Sequence, residues 1–167
     1  DVERSRGLGD VYKRQIINYL NKKGDSDMYT VSCETHFDSA HFLLGYKGGC
    51  KNIHGHRWVV SASVSSETLI EEGGNRGMVI DFNEVKPVLN ELVECFDHRL
   101  VVERDTLRST TMLMLEEEEF EVAEVDFRPT VENFSKYFYD ELKKRGVPVS
   151  KVRVYETPES YAEYCED

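Results

Sequence analysis

No stretch of this 167-residue sequence approaches the roughly 20 consecutive apolar residues that a helix needs to cross a bilayer. Basic charge is also short: 21 Lys and Arg stand against 32 Asp and Glu, for a formal net charge of -11. The basic residues do not cluster, and a phosphate backbone rewards clustered Lys and Arg, so a nucleic-acid partner is excluded as an expectation. Cysteine is sparse. Cys33, Cys50, Cys95 and Cys165 lie far apart with no C-x-x-C pair, for which reduced thiols are the default reading. No charged-then-apolar leader opens the chain, so the expectation is reduced thiols in a cytoplasmic protein. Internal repeats and long linkers are missing too.

What is present is enough for one domain. The length can bury a single core without covalent help, and 40% hydrophobic against 32% charged residues is the balance of a globular chain. Residues 1–27 are polar and lack periodicity beyond the short run 16–20, and residues 8–15 resemble a translated adapter remnant. Met28 is therefore expected to be the natural start, with 1–27 a non-native or disordered extension and 28–167 the single domain.

Residues 29–37 alternate polar with apolar side chains and carry Thr30, Val31 and Thr35, which predicts a half-buried strand. Residues 42–52 hold Gly45, Gly48 and Gly49 and read as a loop. Alternation resumes over 54–66, with His56, Trp58, Val60, Ala62 and Val64 on one face, and the run 78–82 is apolar enough for a further short strand. Val85, Val88, Leu89, Leu92, Val93 and Phe96 then form a helical stripe, capped by Asp81 or Asn83 and holding Pro87 in its first turn. A second helix is signalled by Thr130 as N-cap, by Phe134, Tyr137, Phe138 and Leu142, and by Gly146 as terminator. Residues 151–156 alternate into a last strand on which Val152, Val154 and Glu156 share a face. Residues 104–127 carry no assignment beyond a strand-like stretch at 120–127. The pattern predicts an α+β fold, an antiparallel sheet of about four strands with two helices on one face.

Three of the five histidines, His41, His54 and His56, fall where the first strand ends and the second begins. Residues two apart on a strand project to one side, so His54 and His56 form a two-pronged grip, with Gly55 leaving the other side uncrowded. His41 from the adjoining strand would complete a three-imidazole tripod of the kind that leaves a metal an open position. Copper, iron and nickel also accept imidazole; availability and the tripod favour zinc. A single histidine on a strand is ordinarily a packed or surface residue, and even an H-x-H pair is ambiguous. Cys50 shifts the balance, because a thiol on the loop leading into the pair would be drawn toward thiolate by a nearby dication. Spacing leaves it as a fourth ligand, a nucleophile or a general base.

Six motifs occur in order: F-D-S-A-H at 37–41, C-K-N-I-H-G-H at 50–56, D-F at 81–82, F-D-H at 96–98, P-T-V-E-N at 129–133 and Y-E-T-P at 155–158. Jointly they resemble the 6-pyruvoyltetrahydropterin and 6-carboxytetrahydropterin synthase superfamily, from about Met28 to the C-terminus. The resemblance implies a tunnelling fold, in which sheets of several subunits join into a barrel, and hence a homo-oligomer, commonly a hexamer, with active sites between subunits. The C-x-x-x-H-G-H spacing is similar to that of the 6-carboxytetrahydropterin synthases of queuosine and archaeosine precursor biosynthesis, with the pyruvoyl branch as the alternative. The implied activity is a zinc-dependent lyase reaction on 7,8-dihydroneopterin triphosphate that yields 6-carboxy-5,6,7,8-tetrahydropterin, acetaldehyde and triphosphate.

By the same resemblance, Cys50, Asp97 and His98 are catalytic, Glu156 anchors the pterin, and His41, His54 and His56 hold zinc. Taken alone, Asp97 and His98 would pass for a polar helix end and Glu156 for a solvated strand end. Thr130 and Glu132 belong to a family motif and are assigned supporting substrate contacts, although N-cap and first-turn acid suffice to explain them. An acidic chain that takes a triphosphate needs local basic residues, for which Lys47, Lys51 and Arg153 are the candidates. A non-catalytic zinc-binding module is the alternative from another class.

Overall fold

The computed structural model describes residues 27–166. The expected extension over 1–27 lies, except for Asp27, outside the described residues. Among them, six strands form one sheet in the order β4-β3-β1-β2-β5-β6. Strands β1 (Tyr29–His41) and β2 (His54–Ser66) make its centre, an antiparallel ladder that runs from Tyr29 opposite Ser66 to His41 opposite His54. Strand β5 (Lys151–Thr157) pairs with β2, and β6 (Ser160–Cys165) with β5, both antiparallel.

The sheet is larger than expected, with six strands rather than about four, and it is mixed. Strands β3 (Leu100–Glu103) and β4 (Val122–Val125) run parallel to β1. Each is only four residues long: β4 lies inside the strand-like stretch at 120–127, whereas β3 is too short for alternation to stand out, and β6 at the other edge was not expected either. The strand expected over 78–82 is not formed: Asp81 instead caps helix α1 (Phe82–Glu94), its carboxylate accepting from the Asn83 N–H at 2.8 Å. The earlier start moves Pro87 into the second turn, where the Asn83 carbonyl goes without its usual helical donor.

Among the described residues there are three α-helices, not two. Helix α2 (Ser109–Glu117) buries none of its residues, so it leaves no apolar stripe to detect. Helix α3 (Val131–Lys144) follows Thr130 and ends at Gly146, whose φ of 82° suits glycine. The two expected helices do share one face of the sheet. Helix α1 lays Val85, Leu89 and Leu92 against β1, and α3 lays Phe134, Phe138 and Leu142 against β5 and β6.

The strands contribute the other half of the core. Phe37 and Trp58 are opposite each other in the ladder and stack at 5.9 Å, and Phe96, Phe134 and Phe138 close around Phe37 at 5.6 to 6.0 Å. Phe37, Trp58, Phe134 and Phe138 are fully buried, and each such ring contributes a few kcal/mol, about 2 to 3, through removal of apolar area from water. Because side chains alternate, the face that carries Phe37 and Trp58 also carries Ser39 and His41 on β1 and His54 and His56 on β2. The histidines thus extend the apolar face past its aromatic end, on the most extensively paired strands of the sheet.

Candidate functional site

His41 and His54 are ladder partners, and His56 stands opposite Ser39. The three rings gather with centroids 4.4, 5.3 and 5.0 Å apart. Two backbone carbonyls set their orientation. His41 Nδ1 lies 2.8 Å from the oxygen of Pro129, and His54 Nδ1 lies 2.8 Å from the oxygen of Asn52. A carbonyl only accepts, so each Nδ1 carries the proton and each Nε2 keeps its lone pair. The Nε2 atoms of His41, His54 and His56 are all buried and have no hydrogen-bond partner.

Buried nitrogens with free lone pairs are costly unless something cationic completes them. Burial also keeps two of these rings, His41 and His56, neutral. It pushes His41 down to about 4, opposed by the Pro129 carbonyl and reinforced by His54 and His56. His56 is lowered too, by burial first, against the pull of Glu156 and with help from His54. Neutral imidazoles with fixed tautomers are the form in which histidine binds metal. The donor set therefore fits a metal ion.

The group that converges has a fourth member. One donor atom from each of His41, His54, His56 and Glu156 falls within 4.8 Å of the others. Glu156 Oε1 lies 3.5 Å from His41 Nε2 and 3.5 Å from His56 Nε2. The β2–β5 register explains why: Val59 pairs with Tyr155, so the next position on β5 stands beside Trp58 on the histidine face. Alternation of Val152, Val154 and Glu156 already placed this acid on the core face, but nothing in its spacing links it to histidines a hundred residues earlier.

Cys50 is outside that group. It sits half-buried in the 3-10 turn Gly49–Lys51 on the loop before β2, its carbonyl accepting from the Leu43 N–H at 2.8 Å. Asp97 and His98 lie elsewhere. Asp97 Oδ1 accepts from the Asp38 N–H at 2.8 Å, and the His98 N–H donates to the Asp38 carbonyl at 2.7 Å, so the peptide of Asp38 clasps the pair against the edge of β1. Asp97 Oδ2 meets His98 Nδ1 at 2.8 Å, a bond that leaves Nε2 uncommitted to the pair. The clasp holds His98 at a φ of 57°, a conformation uncommon outside glycine. That contact with Asp38 comes first among the causes that hold the Asp97 carboxyl below its ordinary range, outweighing its partial burial.

His98 is largely exposed and lines a cleft of about 720 Å³ with Ala40, Gly55, Arg57, Leu115 and Phe120, and Ser39 and His56 also border it. Ala40, Gly55 and Arg57 alternate with the three histidines and so belong to the opposite face of the sheet. The uncrowded side of Gly55 opens onto this cleft. Within one chain the Asp97–His98 pair is held on the backbone of Asp38, whose side chain alternates onto the face opposite the histidines.

The P-T-V-E-N segment has a role that its caps did not reveal. Thr130 is at the N-cap without a side-chain cap bond, and Glu132 is exposed. Around them, Asn133 Nδ2 donates to the Arg128 carbonyl at 2.9 Å, and Arg128 reaches the Leu44 carbonyl at 3.0 Å. These bonds hold the turn whose Pro129 carbonyl orients His41. Of the basic candidates, Arg153 is engaged: it bonds Glu163 at 2.7 Å and lies 4.3 Å over the Tyr161 ring. Asp38 and Arg57, joined by a two-point ion pair at 3.0 and 2.8 Å, were not anticipated. Their cross-strand position is the signal that would have found them.

The family model for 6-pyruvoyl tetrahydropterin synthase matches residues 30–167. The chain belongs to that family. It is 31% identical to a 6-carboxy-5,6,7,8-tetrahydropterin synthase from Haemophilus influenzae over 142 residues, spanning 83% of this chain and 100% of the relative. It is 37% identical over 128 residues to a protein of the same name from Aquifex aeolicus, spanning 71% of this chain and 76% of that one. Among solved structures, the 6-pyruvoyl tetrahydropterin synthase of Plasmodium vivax superposes with a TM-score of 0.63 at 18% identity, over 84% of this chain and 99% of that one, which establishes the shared tunnelling fold. The chain is accordingly a lyase-type enzyme, a pterin synthase of this family acting on a small pterin. No described helix is long and apolar enough to cross a membrane.

Proposed function

We propose that this protein converts 7,8-dihydroneopterin triphosphate to 6-carboxy-5,6,7,8-tetrahydropterin with release of acetaldehyde and triphosphate. The observation that carries the reading is the convergence of three buried, partnerless Nε2 atoms beside Glu156, in a chain whose relatives bear the 6-carboxytetrahydropterin synthase name. His41, His54 and His56 would hold zinc, the metal that best suits a three-imidazole set with a position to spare. When bound, zinc supplies Lewis acidity toward a hydroxyl or carbonyl oxygen of the substrate side chain.

The protein's own groups do the rest. Glu156 accepts hydrogen bonds from the pterin amino group and ring N–H. Cys50, as thiolate, removes a proton from side-chain carbon, and His98 passes protons at Nε2 while Asp97 holds its tautomer through Nδ1. Thr130 and Glu132 support the substrate from the start of α3. Because the dyad is held at Asp38, whose side chain alternates onto the face opposite the histidines, it serves the site of a neighbouring copy, which makes the working unit a homo-oligomer with barrel closure, a hexamer. The protein works in the cytoplasm, where its product supplies deazapurine precursors such as those of queuosine and archaeosine.

The test is incubation of zinc-loaded protein with dihydroneopterin triphosphate and mass analysis of the products. A 6-carboxy pterin with stoichiometric acetaldehyde is expected. A 6-pyruvoyl pterin with triphosphate alone would move the chain to the other branch, and no conversion with normal metal content would leave a non-catalytic zinc module.

A further inference from the structure

A carboxylate oxygen 3.5 Å from two imidazole nitrogens is too distant for a hydrogen bond and too close for indifference. The spacing has another meaning. Imidazole and carboxylate donors sit about 2.0 to 2.2 Å from zinc, so two of them on one tetrahedral ion are separated by roughly 3.4 Å. Glu156 meets that condition toward His41 and His56 together, and its donor atom is within 4.8 Å of all three rings. The carboxylate is only about 29% exposed, and the two other acceptors that face it, Nε2 of His41 and of His56, are themselves without hydrogen-bond partners. No hydrogen bond to either ring accounts for the position of Glu156.

We infer that Glu156 is an exchangeable fourth ligand of the metal, bound while the site is without substrate and released when the pterin takes it. Resting on the pterin-synthase reading, this gives one carboxylate two mutually exclusive partners. Pterin capture draws Glu156 off the ion and opens the coordination position that the substrate side chain needs, so the metal becomes reactive only when a correctly seated pterin is present. Glu156 reaches this position from the end of β5, near the irregularity in β5–β6 pairing between Tyr155 and Thr157, where the strand is least constrained by its neighbour. Cys50, which is outside the converging donors, is left free for chemistry.

The experiment uses the full chain loaded with cobalt(II) or zinc. Zinc affinity is measured by competition with a chelator, and the cobalt visible spectrum is recorded with and without 7,8-dihydroneopterin, for the wild type, Glu156→Gln and Glu156→Asp. Glu156→Gln is expected to weaken zinc binding at least about tenfold and to change the cobalt spectrum without any pterin; Glu156→Asp should fall between. Dihydroneopterin should shift the wild-type spectrum toward that of Glu156→Gln, a readout that needs no variant to fold. Unchanged zinc affinity and spectrum in Glu156→Gln, with pterin binding lost, overturns the inference and leaves the pterin reading intact. Weakened zinc binding in Glu156→Gln, in a wild type that binds no pterin, overturns the exchange and the pterin reading but keeps the ligand.

Discussion

His41 Nδ1 stands 2.8 Å from the carbonyl oxygen of Pro129, a bond that ties the end of β1 to the residue before the N-cap of α3. One face of the ring is thereby committed to the fold and the other to the metal. His54 repeats the device with Asn52. Removing the ring of His41, His54 or His56 by Ala substitution should lower zinc affinity by at least about 100-fold, since each deletes a donor and not merely its support. Chelator competition checks this, and a variant that kept wild-type affinity would remove that histidine from the ligand set.

The same burial predicts a pH dependence of the metal-free protein. His41 has its pKa lowered to about 4 in the fold against about 6.5 when unfolded, so between these values the unfolded chain binds the extra proton. The stability this neutral ring permits is fully present above pH 6.5 and is lost progressively as pH falls toward 4. The loss is on the order of 3 kcal/mol, and His56 adds to it in the same direction. Urea unfolding of metal-free protein should give a lower midpoint at pH 5 than at pH 7.5, and the His41→Phe variant should show less of that fall.

Cys50→Ala should abolish turnover while the protein retains its full zinc content, because the thiol lies outside the converging donors. Metal analysis beside a product assay separates the roles. Zinc lost in proportion to activity would make the thiol a ligand.

The hold of Asp38, whose side chain alternates away from the histidine face, on Asp97 and His98 leads to a complementation test. Cys50→Ala and His98→Ala protein, each inactive alone, should regain activity when unfolded together and reassembled, since some sites would then combine an intact thiol from one copy with an intact dyad from another. Continued inactivity of a properly assembled mixture would place both groups in the site of a single chain.

Much of this architecture was legible because its elements are long or amphipathic. The ladder from His54 to Ser66 and the stripes of α1 and α3 carry a period that survives reading without structure. Strand β3, four residues long, and α2, which buries no residue, carry none and went unread together with the parallel part of the sheet; β4 falls within the strand-like stretch at 120–127, and β6 lies beyond the last strand that was expected. The same logic applies to the site. The H-G-H pair and His41 are near in sequence and share a face, so alternation alone brings them together. Glu156 joins them through the pairing of β2 with β5, and Pro129 and Asp38 act through backbone atoms, to which side-chain identity gives no clue.

The core beside the site offers a control on the fold itself. Phe37→Ala should destabilise the protein by about 3 to 5 kcal/mol, because it opens a cavity under Trp58, Phe96, Phe134 and Phe138. A urea midpoint close to that of the wild type would mean that the cluster relaxes around the gap.

X-ray absorption at the zinc edge reports most directly on the three-imidazole centre. The account predicts a shell of nitrogen and oxygen at about 2.0 to 2.1 Å, with the outer scattering of three imidazole rings and no sulfur. A sulfur neighbour at about 2.3 Å, or fewer than three imidazoles around a stoichiometrically bound ion, would contradict it.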